Sequence, residues 1–408
     1  MLRLTFRVSS AAFRIQRSTM HQRRFALCIP ASVFVAVTAL LCVARPASSN
    51  PPSAIQTPQS GAFCLPLRSA PPPSGAWELQ ASGTLAWLRA VYFVDEQKGW
   101  AVGGKGMLLA TEDGGRTWAA RRRPTEDALR DVYFIDANTG WLVCDRNIYL
   151  LRTKEEPRSY LLKTTDGGAT WSRLAVTGAA EADVLLTRVT FADARRGWAF
   201  GEMGALFATT DGGATWARQN VPTRYLLLGG AFLAGGAGWL VGAGNTILQT
   251  SDGGAQWSMS PAPISATTRF NAVSFIDGRR GWAVGERGIV LATTDGGRSW
   301  QPQESNVRVD LRDVKFLNAA EGWSVGAQGT IIRTTDGGAN WQSESSHTRH
   351  PLERLSVVNR SSLWAVGFGG TIIAYAAHTP PAPPQLKTPG TEQLKERPRR
   401  ALRKETPR

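Results

Sequence analysis

The sequence predicts an all-β fold, a seven-bladed β-propeller with four strands in each blade, and three observations support this prediction. A tryptophan-containing motif such as GWAVG occurs seven times, and its tryptophans are spaced by 41, 57, 41, 43, 41 and 41 residues. A second motif, such as TTDGGATW, follows six of the seven copies. Strand-forming residues alternate with turn residues, and no stretch has a helical period. A repeat of this length is typical of a four-stranded propeller blade.

Residues 1–49 are predicted to direct export. Residues 25–44 form an apolar run without a charged side chain, and Arg23-Arg24 precede it. This order indicates a cleaved signal peptide, although the run is also long enough for a retained membrane anchor. Residues 50–74 are rich in proline and serine, which predicts a linker.

The repeat predicts four strands in each blade. The first, inner strand is apolar, and in six blades a phenylalanine lies seven positions before the first tryptophan: Phe93, Phe134, Phe191, Phe232, Phe275 and Phe316. The second strand is the GWAVG motif, and a glycine-rich turn leads to the third. The outer strand follows the Asp-containing motif.

The Asp-containing motif is predicted to be a structural turn. Its carboxylate can accept N–H bonds within its own turn, its glycines permit positive φ, and its tryptophan buries a large ring. Six equivalent copies cannot share one active site. The aspartates assigned this structural role are Asp113, Asp166, Asp211, Asp252, Asp295 and Asp336.

The strand around Trp77 is predicted to close the ring. The second motif is missing after Trp364, and Trp77 lies one repeat length before Trp118. This strand would complete the last blade and so remove an open sheet edge. With it, 14 of the 15 tryptophans belong to the two series, and only Trp87 stays outside.

The propeller is predicted to span residues 75–377, followed by a disordered tail. Residues 378–408 are basic, rich in proline and poor in large apolar side chains. Such a segment cannot bury enough surface to offset the entropy of ordering. The tail is either a solvated extension or an attachment to an anionic surface.

The charge distribution argues against a nucleic-acid partner. The formal net charge is +15, of which residues 1–24 contribute +6 and residues 378–408 contribute +5, whereas residues 75–377 carry only +2. A nucleic-acid-binding domain would concentrate positive charge on its folded surface.

No metal or cofactor is predicted, because the chain contains only four histidines and four cysteines. His347 and His350 are weak candidate ligands. In an exported protein Cys64 and Cys144 could pair, although they lie far apart in the sequence.

Thr164-x-Asp166-x-Gly168-x-Thr170-Trp171 is an Asp-box of the sialidase-type (BNR) repeat. Taken with the seven GWAVG-like motifs, it makes residues 75–377 resemble the photosystem II assembly and stability factors, exported seven-bladed propellers of the thylakoid lumen, and their bacterial relatives. The resemblance implies a non-catalytic scaffold that holds a membrane-protein subunit during assembly. It also implies a periplasmic, envelope-associated or lumen-like location.

Arginines near the start of the inner strand are the candidate binding residues. Five blades carry one, at either of two adjacent positions before the first tryptophan: Arg89, Arg130, Arg188, Arg312 and Arg354. Equivalent positions of a closed propeller meet at the mouth of its channel, so we expect an electropositive site for an acidic segment of a partner protein. An arginine-rich binding surface is also what the resemblance implies. The alternative is that these arginines pair with neighbouring acids, notably Asp131 and Asp313.

Blade two carries an insertion on the face of the propeller where the candidate arginines are predicted to lie. The stretch from Trp141 to Thr164 is about twice as long as the equivalent stretch of blade one, from Trp100 to Thr111. The extra piece, residues 146–160, is either a binding excursion or an extended hairpin without a ligand. Its charged residues include Arg152, Lys154, Glu155, Glu156 and Arg158.

A carbohydrate-active propeller is the competing functional class. A sialidase-like site needs an arginine cluster, a tyrosine paired to a glutamate, and an acid. The arginines are present, but no Tyr–Glu pair can be matched. A glycosidase that acts through two carboxylates is therefore kept as an alternative, because the sequence has too many acidic residues for a catalytic pair to be assigned.

Overall fold

The computed structural model describes residues 75–377, apart from residues 148, 150, 152, 154, 155, 175 and 177–183. The predicted export segment, linker, tail and Cys64 lie outside the described residues, as do Arg152, Lys154 and Glu155 of the insertion. Cys144 is described and is completely buried, and this burial raises the pKa of its thiol. No helix in the described part of the chain is long and apolar enough to span a bilayer.

Seven antiparallel sheets of four strands each form the blades, which confirms the predicted fold class. The strand β1 is Gly75–Gln80. Blade one contains β2 (Leu88–Phe93), β3 (Gly99–Gly103), β4 (Leu108–Thr111) and β5 (Ala119–Ala120). Blade two contains β6 (Ala128–Phe134), β7 (Gly140–Asp145), β8 (Ser159–Thr164) and β9 (Ser172–Leu174). Blade three contains β10 (Leu186–Phe191), β11 (Gly197–Gly201), β12 (Leu206–Thr209) and β13 (Ala217–Arg218).

The remaining blades repeat this order. Blade four contains β14 (Leu227–Phe232), β15 (Gly238–Gly242), β16 (Ile247–Thr250) and β17 (Ser258–Met259). Blade five contains β18 (Phe270–Phe275), β19 (Gly281–Gly285), β20 (Val290–Thr293) and β21 (Gln301–Gln303). Blade six contains β22 (Leu311–Phe316), β23 (Gly322–Gly326), β24 (Ile331–Thr334) and β25 (Gln342–Glu344). Blade seven contains β26 (Leu352–Asn359), β27 (Ser362–Gly367), β28 (Ile372–Ala377) and β1.

Short 3-10 turns connect the second and third strands of four blades: Glu202–Gly204, Glu286–Gly288, Ala327–Gly329 and Phe368–Gly370.

The N-terminal strand closes the ring, as predicted. β1 pairs antiparallel with β28, and Trp77 lies opposite Tyr375. Each inner strand contacts the inner strands of both neighbouring blades, including β2 with β26. The edge of blade seven is therefore paired by a strand from the other end of the described chain, which leaves no open seam in the ring.

Aromatic stacking between blades explains why an inner-strand phenylalanine and a first tryptophan recur together in six blades. In six interfaces the first tryptophan of one blade stacks on the inner-strand phenylalanine of the next, with ring centroids 3.5–3.9 Å apart. The Asp-box tryptophan of that next blade meets the same phenylalanine edge-on, as Trp171 meets Phe134. Each phenylalanine thus lies between two indoles, and the core is a series of inter-blade layers.

The Asp-boxes hold their own turns. The six aspartates each accept a backbone N–H bond from the residue four positions later, at 2.9–3.0 Å. In blade two, Gly168 N donates to Thr164 Oγ1 at 2.9 Å, and Gly167 and Gly168 have φ of 72° and 91°. The left-handed conformation of these two residues requires glycine. Each carboxylate therefore accepts hydrogen bonds within the turn to which it belongs.

Candidate functional site

A β-bulge near the start of every inner strand builds the candidate site. In all seven blades the pairing of the first and second strands skips one residue, as between Leu88 and Ala90 or between Leu311 and Asp313. A bulge inserts an unpaired residue and turns side chains away from the regular alternation. The seven inserted residues form what we call the upper ring: Arg89, Arg130, Thr187, Leu228, Asn271, Arg312 and Glu353.

The residues that follow the bulges form a second layer, which we call the lower ring. Its members are Ala90, Asp131, Arg188, Gly229, Ala272, Asp313 and Arg354. The five predicted arginines therefore belong to two layers. The three that lie one position further from their tryptophans, Arg89, Arg130 and Arg312, are in the upper ring, whereas Arg188 and Arg354 are in the lower ring.

The upper ring surrounds a cavity of about 310 Å³ at the mouth of the channel. All five predicted arginines line this cavity, and Arg269 is a sixth. The acids among the lining residues are Asp310 and Glu353. Sequence reasoning missed Arg269 because it lies further from Trp282 than the other arginines lie from their tryptophans, outside the repeated spacing. The arrangement concentrates guanidinium groups where an anion could approach.

Two upper-ring arginines have carboxylate partners. Arg130 Nη2 lies 2.8 Å from Asp145 Oδ2, and Arg312 pairs with Glu353. Arg89 forms no ion pair within the described part of the chain, and its buried Nε has no hydrogen-bond partner. Burial lowers the pKa of Arg89, and the neighbouring charge of Arg130 adds to this shift. Arg89 is thus the upper-ring arginine without an ion-pair partner among the described residues, and Glu353 and Asp145 attract it only at longer range.

The lower-ring arginines are neutralised across the channel. Arg354 Nη2 lies 3.4 Å from Asp131 Oδ1, and Arg188 Nη1 lies 3.8 Å from Asp313 Oδ1. The alternative prediction pairs the arginines with acids on their own strands, notably Asp131 and Asp313. The structure instead pairs each acid with an arginine of another blade, because the acid faces the channel one layer below the bulge.

Backbone donors also hold these two acids. Val189 N donates to Asp131 Oδ2 at 3.1 Å, and Leu355 N donates to Asp313 Oδ2 at 3.0 Å. Burial raises the pKa of Asp131, which Arg354 opposes, and burial lowers the pKa of Arg188 to about 10. These two ion pairs also interact electrostatically with each other and form a network at the base of the mouth.

A second cavity of about 270 Å³ lies below the network, and Tyr92, Tyr133 and Lys315 line it. Tyr133 Oη donates to the carbonyl of Phe191 at 2.8 Å. Burial lowers the pKa of Lys315.

The blade-two insertion is tied to blade three. Arg158 Nη1 lies 3.0 Å from Glu202 Oε2 in the neighbouring 3-10 turn, and Arg146 Nη1 lies 3.0 Å from Glu156 Oε2. Asp145, at the base of the insertion, is the partner of Arg130. The described part of the insertion is therefore connected through Asp145 to one arginine of the mouth.

Carboxylates also line a cavity of about 410 Å³ on the opposite face, where Asp252 and Asp295 lie. Both are Asp-box residues. Hydrogen bonds from Ser299 lower the pKa of Asp295 to about 2, and a backbone bond from Gln256 lowers the pKa of Asp252. A carboxyl with such a pKa is ionised at neutral pH and cannot donate the proton that a glycosidase acid supplies.

The candidate histidines do not converge on other ligands. His350 Nδ1 lies 2.9 Å from Thr371 Oγ1, and its ring meets Phe368 edge-on. Within the described residues, no group of three or more His, Cys, Asp or Glu side chains could hold a metal ion.

A known family model matches most of the chain. The sequence model of the family described as "Photosynthesis system II assembly factor YCF48" matches residues 72–156, 122–225, 214–309 and 299–374. Together these matches run through nearly the whole propeller and cover well over half of the chain. A search of curated proteins finds no match.

Solved structures of similar fold include relatives of that family. A structure of YCF48 bound to D1 peptide has a TM-score of 0.62 at 21% identity, covering 76% of this chain and 99% of the other. YCF48 from Cyanidioschyzon merolae has a TM-score of 0.59 at 20% identity, covering 74% and 99%. An ancestral GH74 enzyme has a TM-score of 0.57 at 11% identity, covering 75% and 46%. At these identities the likeness shows the fold alone.

Proposed function

The chain belongs to the photosynthesis system II assembly factor YCF48 family, and on that premise we propose that it is an exported, non-catalytic scaffold that captures an acidic segment of a partner protein. The partner is a membrane-protein subunit that is held during assembly. Residues 25–44 either direct export and are removed or attach the scaffold to a membrane. The propeller then acts in the periplasm, at the envelope or in a lumen-like compartment.

The single observation that carries this proposal is the convergence of six arginines on one cavity. Four of them pair with Asp145, Glu353, Asp131 or Asp313, and Arg269 pairs with Asp310 at 3.2 Å. Arg89 forms no direct ion pair within the described residues, and only the more distant Glu353 and Asp145 offset its charge. A carboxylate from a partner would relieve the repulsion among these cations and form charge-assisted hydrogen bonds.

The comparison with a peptide complex supports a protein partner. That YCF48 structure contains a D1 peptide. We propose that this chain also takes a peptide, and that its mouth is the binding surface. A synthetic D1 peptide is therefore a suitable first probe.

The test compares two double variants that remove the same charge. Arg130→Ala/Arg312→Ala removes two upper-ring arginines, whereas Arg279→Ala/Arg298→Ala removes two exposed arginines of the Asp-box face. Titration of a labelled D1 peptide, followed by fluorescence anisotropy, should show at least about tenfold weaker binding for the mouth variant. The control variant should stay within about twofold of the wild type, with an unchanged circular dichroism spectrum.

Equal weakening in both variants, or in neither, would contradict a binding role for the mouth. Binding should also weaken as salt is raised, because the attraction is electrostatic. Hydrolysis of model glycosides by the purified protein would favour the carbohydrate-active alternative instead.

A further inference from the structure

Trp87, the tryptophan outside both repeat series, lies at the rim of the mouth. It precedes β2 by one residue, its side chain is 37% exposed, and its Nε1 donates to Glu353 Oε1 at 3.0 Å. The repeat does not require an indole here, and the ring is not part of the inter-blade core. A large exposed ring held in place by a hydrogen bond suits a binding surface.

Phe368 extends this aromatic surface. It begins the 3-10 turn of blade seven, at a position where the other six blades carry Gly104, Asp145, Glu202, Ala243, Glu286 and Ala327. Its side chain is 48% exposed, and its ring meets Trp87 edge-on with centroids 5.6 Å apart. Two neighbouring rings are thus exposed on one side of the arginine mouth.

Arg89 joins the aromatic surface to the mouth. Its guanidinium carbon lies 4.6 Å from the centroid of the Trp87 ring. It is also the upper-ring arginine that forms no direct ion pair with a described carboxylate. An unpaired cation beside an exposed indole favours a ligand that carries both a carboxylate and an apolar group.

We infer that Arg89, Trp87 and Phe368 form a composite subsite for a peptide in which a carboxylate lies one or two positions from a large apolar side chain. This inference rests on the proposed function and names the chemistry of its partner. The Arg89 guanidinium lies within about 10 Å of the Phe368 ring, and two residues of an extended chain span about 7 Å. A carboxylate on Arg89 would therefore place the apolar side chain against the two rings.

The two parts of the subsite contribute to binding in different ways. The carboxylate supplies orientation and charge complementarity, whereas burial of the exposed rings supplies apolar area. Tryptophan and arginine are the residue types that most often dominate the binding energy of an interface. The subsite should therefore discriminate among acidic peptides, which the mouth alone would not do.

The test is a thermodynamic cycle between protein and peptide variants. The probes are end-capped heptapeptides of glycine and serine with one glutamate and, two positions before it, either phenylalanine or alanine. A third peptide carries glutamine in place of glutamate. Dissociation constants come from calorimetric titration, and the indole N–H signal of Trp87 in NMR spectra reports binding at the site.

We expect the phenylalanine peptide to bind wild type about tenfold more tightly than the alanine peptide. This preference should fall below about twofold in Trp87→Ala and in Phe368→Ala, and return in part in Trp87→Phe. Tyr225→Ala is the matched control, since Tyr225 is an exposed aromatic residue before blade four. It should keep the full preference.

Equal binding of the phenylalanine and alanine peptides to wild type would overturn the subsite. If peptide binding still required the glutamate, Arg130 and Arg312, the proposed function would stand without the subsite. Failure of all peptides, the D1 peptide included, would overturn both. Flotation with anionic lipid vesicles that is lost in Trp87→Ala, without peptide discrimination, would assign the rings to a membrane contact and also overturn the subsite.

Discussion

Arg188 and Arg312 differ by one position in their distance from the first tryptophan of their blades, and this position changes what each side chain contacts. Arg312 is inserted by the bulge and lies at the mouth, where it pairs with Glu353. Arg188 follows its bulge and lies in the channel, where its pKa is lowered to about 10 by burial. Sequence spacing that treats both as equivalent therefore combines a mouth residue with a residue of the internal network.

The Asp-box carboxylates give a pH-dependent prediction at the same scale. Hydrogen bonds from Ser299 lower the pKa of Asp295 to about 2, whereas an unfolded aspartate has a pKa of about 3.9. Because the folded pKa is the lower one, the ionised group stabilises the fold above pH 4, and this contribution is lost as the pH falls through the folded pKa. Asp295→Asn should lower Tm by a few degrees at pH 7, and the difference should shrink toward pH 2.

Thermal unfolding followed by tryptophan fluorescence from pH 7 to pH 2 measures this difference. Glu304→Gln is the control, since Glu304 is exposed and lies outside the Asp-box. Its Tm should follow that of wild type at every pH. A Tm difference between Asp295→Asn and wild type that stays constant across this range would contradict the assigned role of the carboxylate.

At the scale of the strand, blade seven lacks the phenylalanine that stacks in the other interfaces. Its first tryptophan, Trp364, stacks on Phe93 of blade one, but no ring of blade seven stacks in this way on Trp323. β1, which is the outer strand of this blade, compensates. Trp77 is 1% exposed, meets Tyr375 edge-on at 5.4 Å and donates from Nε1 to Glu344 Oε2 at 2.8 Å.

Trp77→Ala should therefore destabilise the propeller by about 3–5 kcal/mol, because it removes a buried ring and leaves a cavity at the closing strand. It should also favour aggregation, since loss of β1 exposes the edge of β28. Urea unfolding and size-exclusion chromatography measure the two effects. Trp87→Ala removes the same side chain from an exposed site and should cost less than about 1 kcal/mol. Equal losses of stability in the two variants would show that β1 does not stabilise the closed ring.

The strand pattern could be predicted from the sequence because repeated local signals determine it. The Trp–Phe spacing and the Asp-box turns act within one blade or between neighbours, and both recur in the sequence. The partners of the arginines could not be predicted, since the bulge shifts side chains between layers and Arg354 pairs across blade one with Asp131. Trp87 and Arg269 were missed as site residues because neither repeats.

At the scale of the whole molecule, the lower-ring network joins blades that do not touch along their sheets. Asp131 of blade two pairs with Arg354 of blade seven, and Arg188 of blade three pairs with Asp313 of blade six. The contacts cross the channel, whereas the aromatic layers join only neighbours. The network thus makes the mouth depend on the closure of the entire ring.

Removing one charge of an ion pair in this network should destabilise the fold more than removing both charges of the pair. Asp131→Asn keeps an acceptor for Val189 N–H but leaves the Arg354 guanidinium, which is 15% exposed, without its carboxylate. The loss should be about 3 kcal/mol, and Asp131→Asn/Arg354→Met should recover most of it, because a buried pair can be replaced by apolar groups at little cost. Urea unfolding followed by tryptophan fluorescence measures both values.

Asp145→Asn is the control variant, because the ion pair of Asp145 with Arg130 is more exposed. This substitution should lower the free energy of unfolding by at most about 1 kcal/mol. A double variant as unstable as Asp131→Asn would mean that Arg354 stabilises the ring through contacts other than this ion pair.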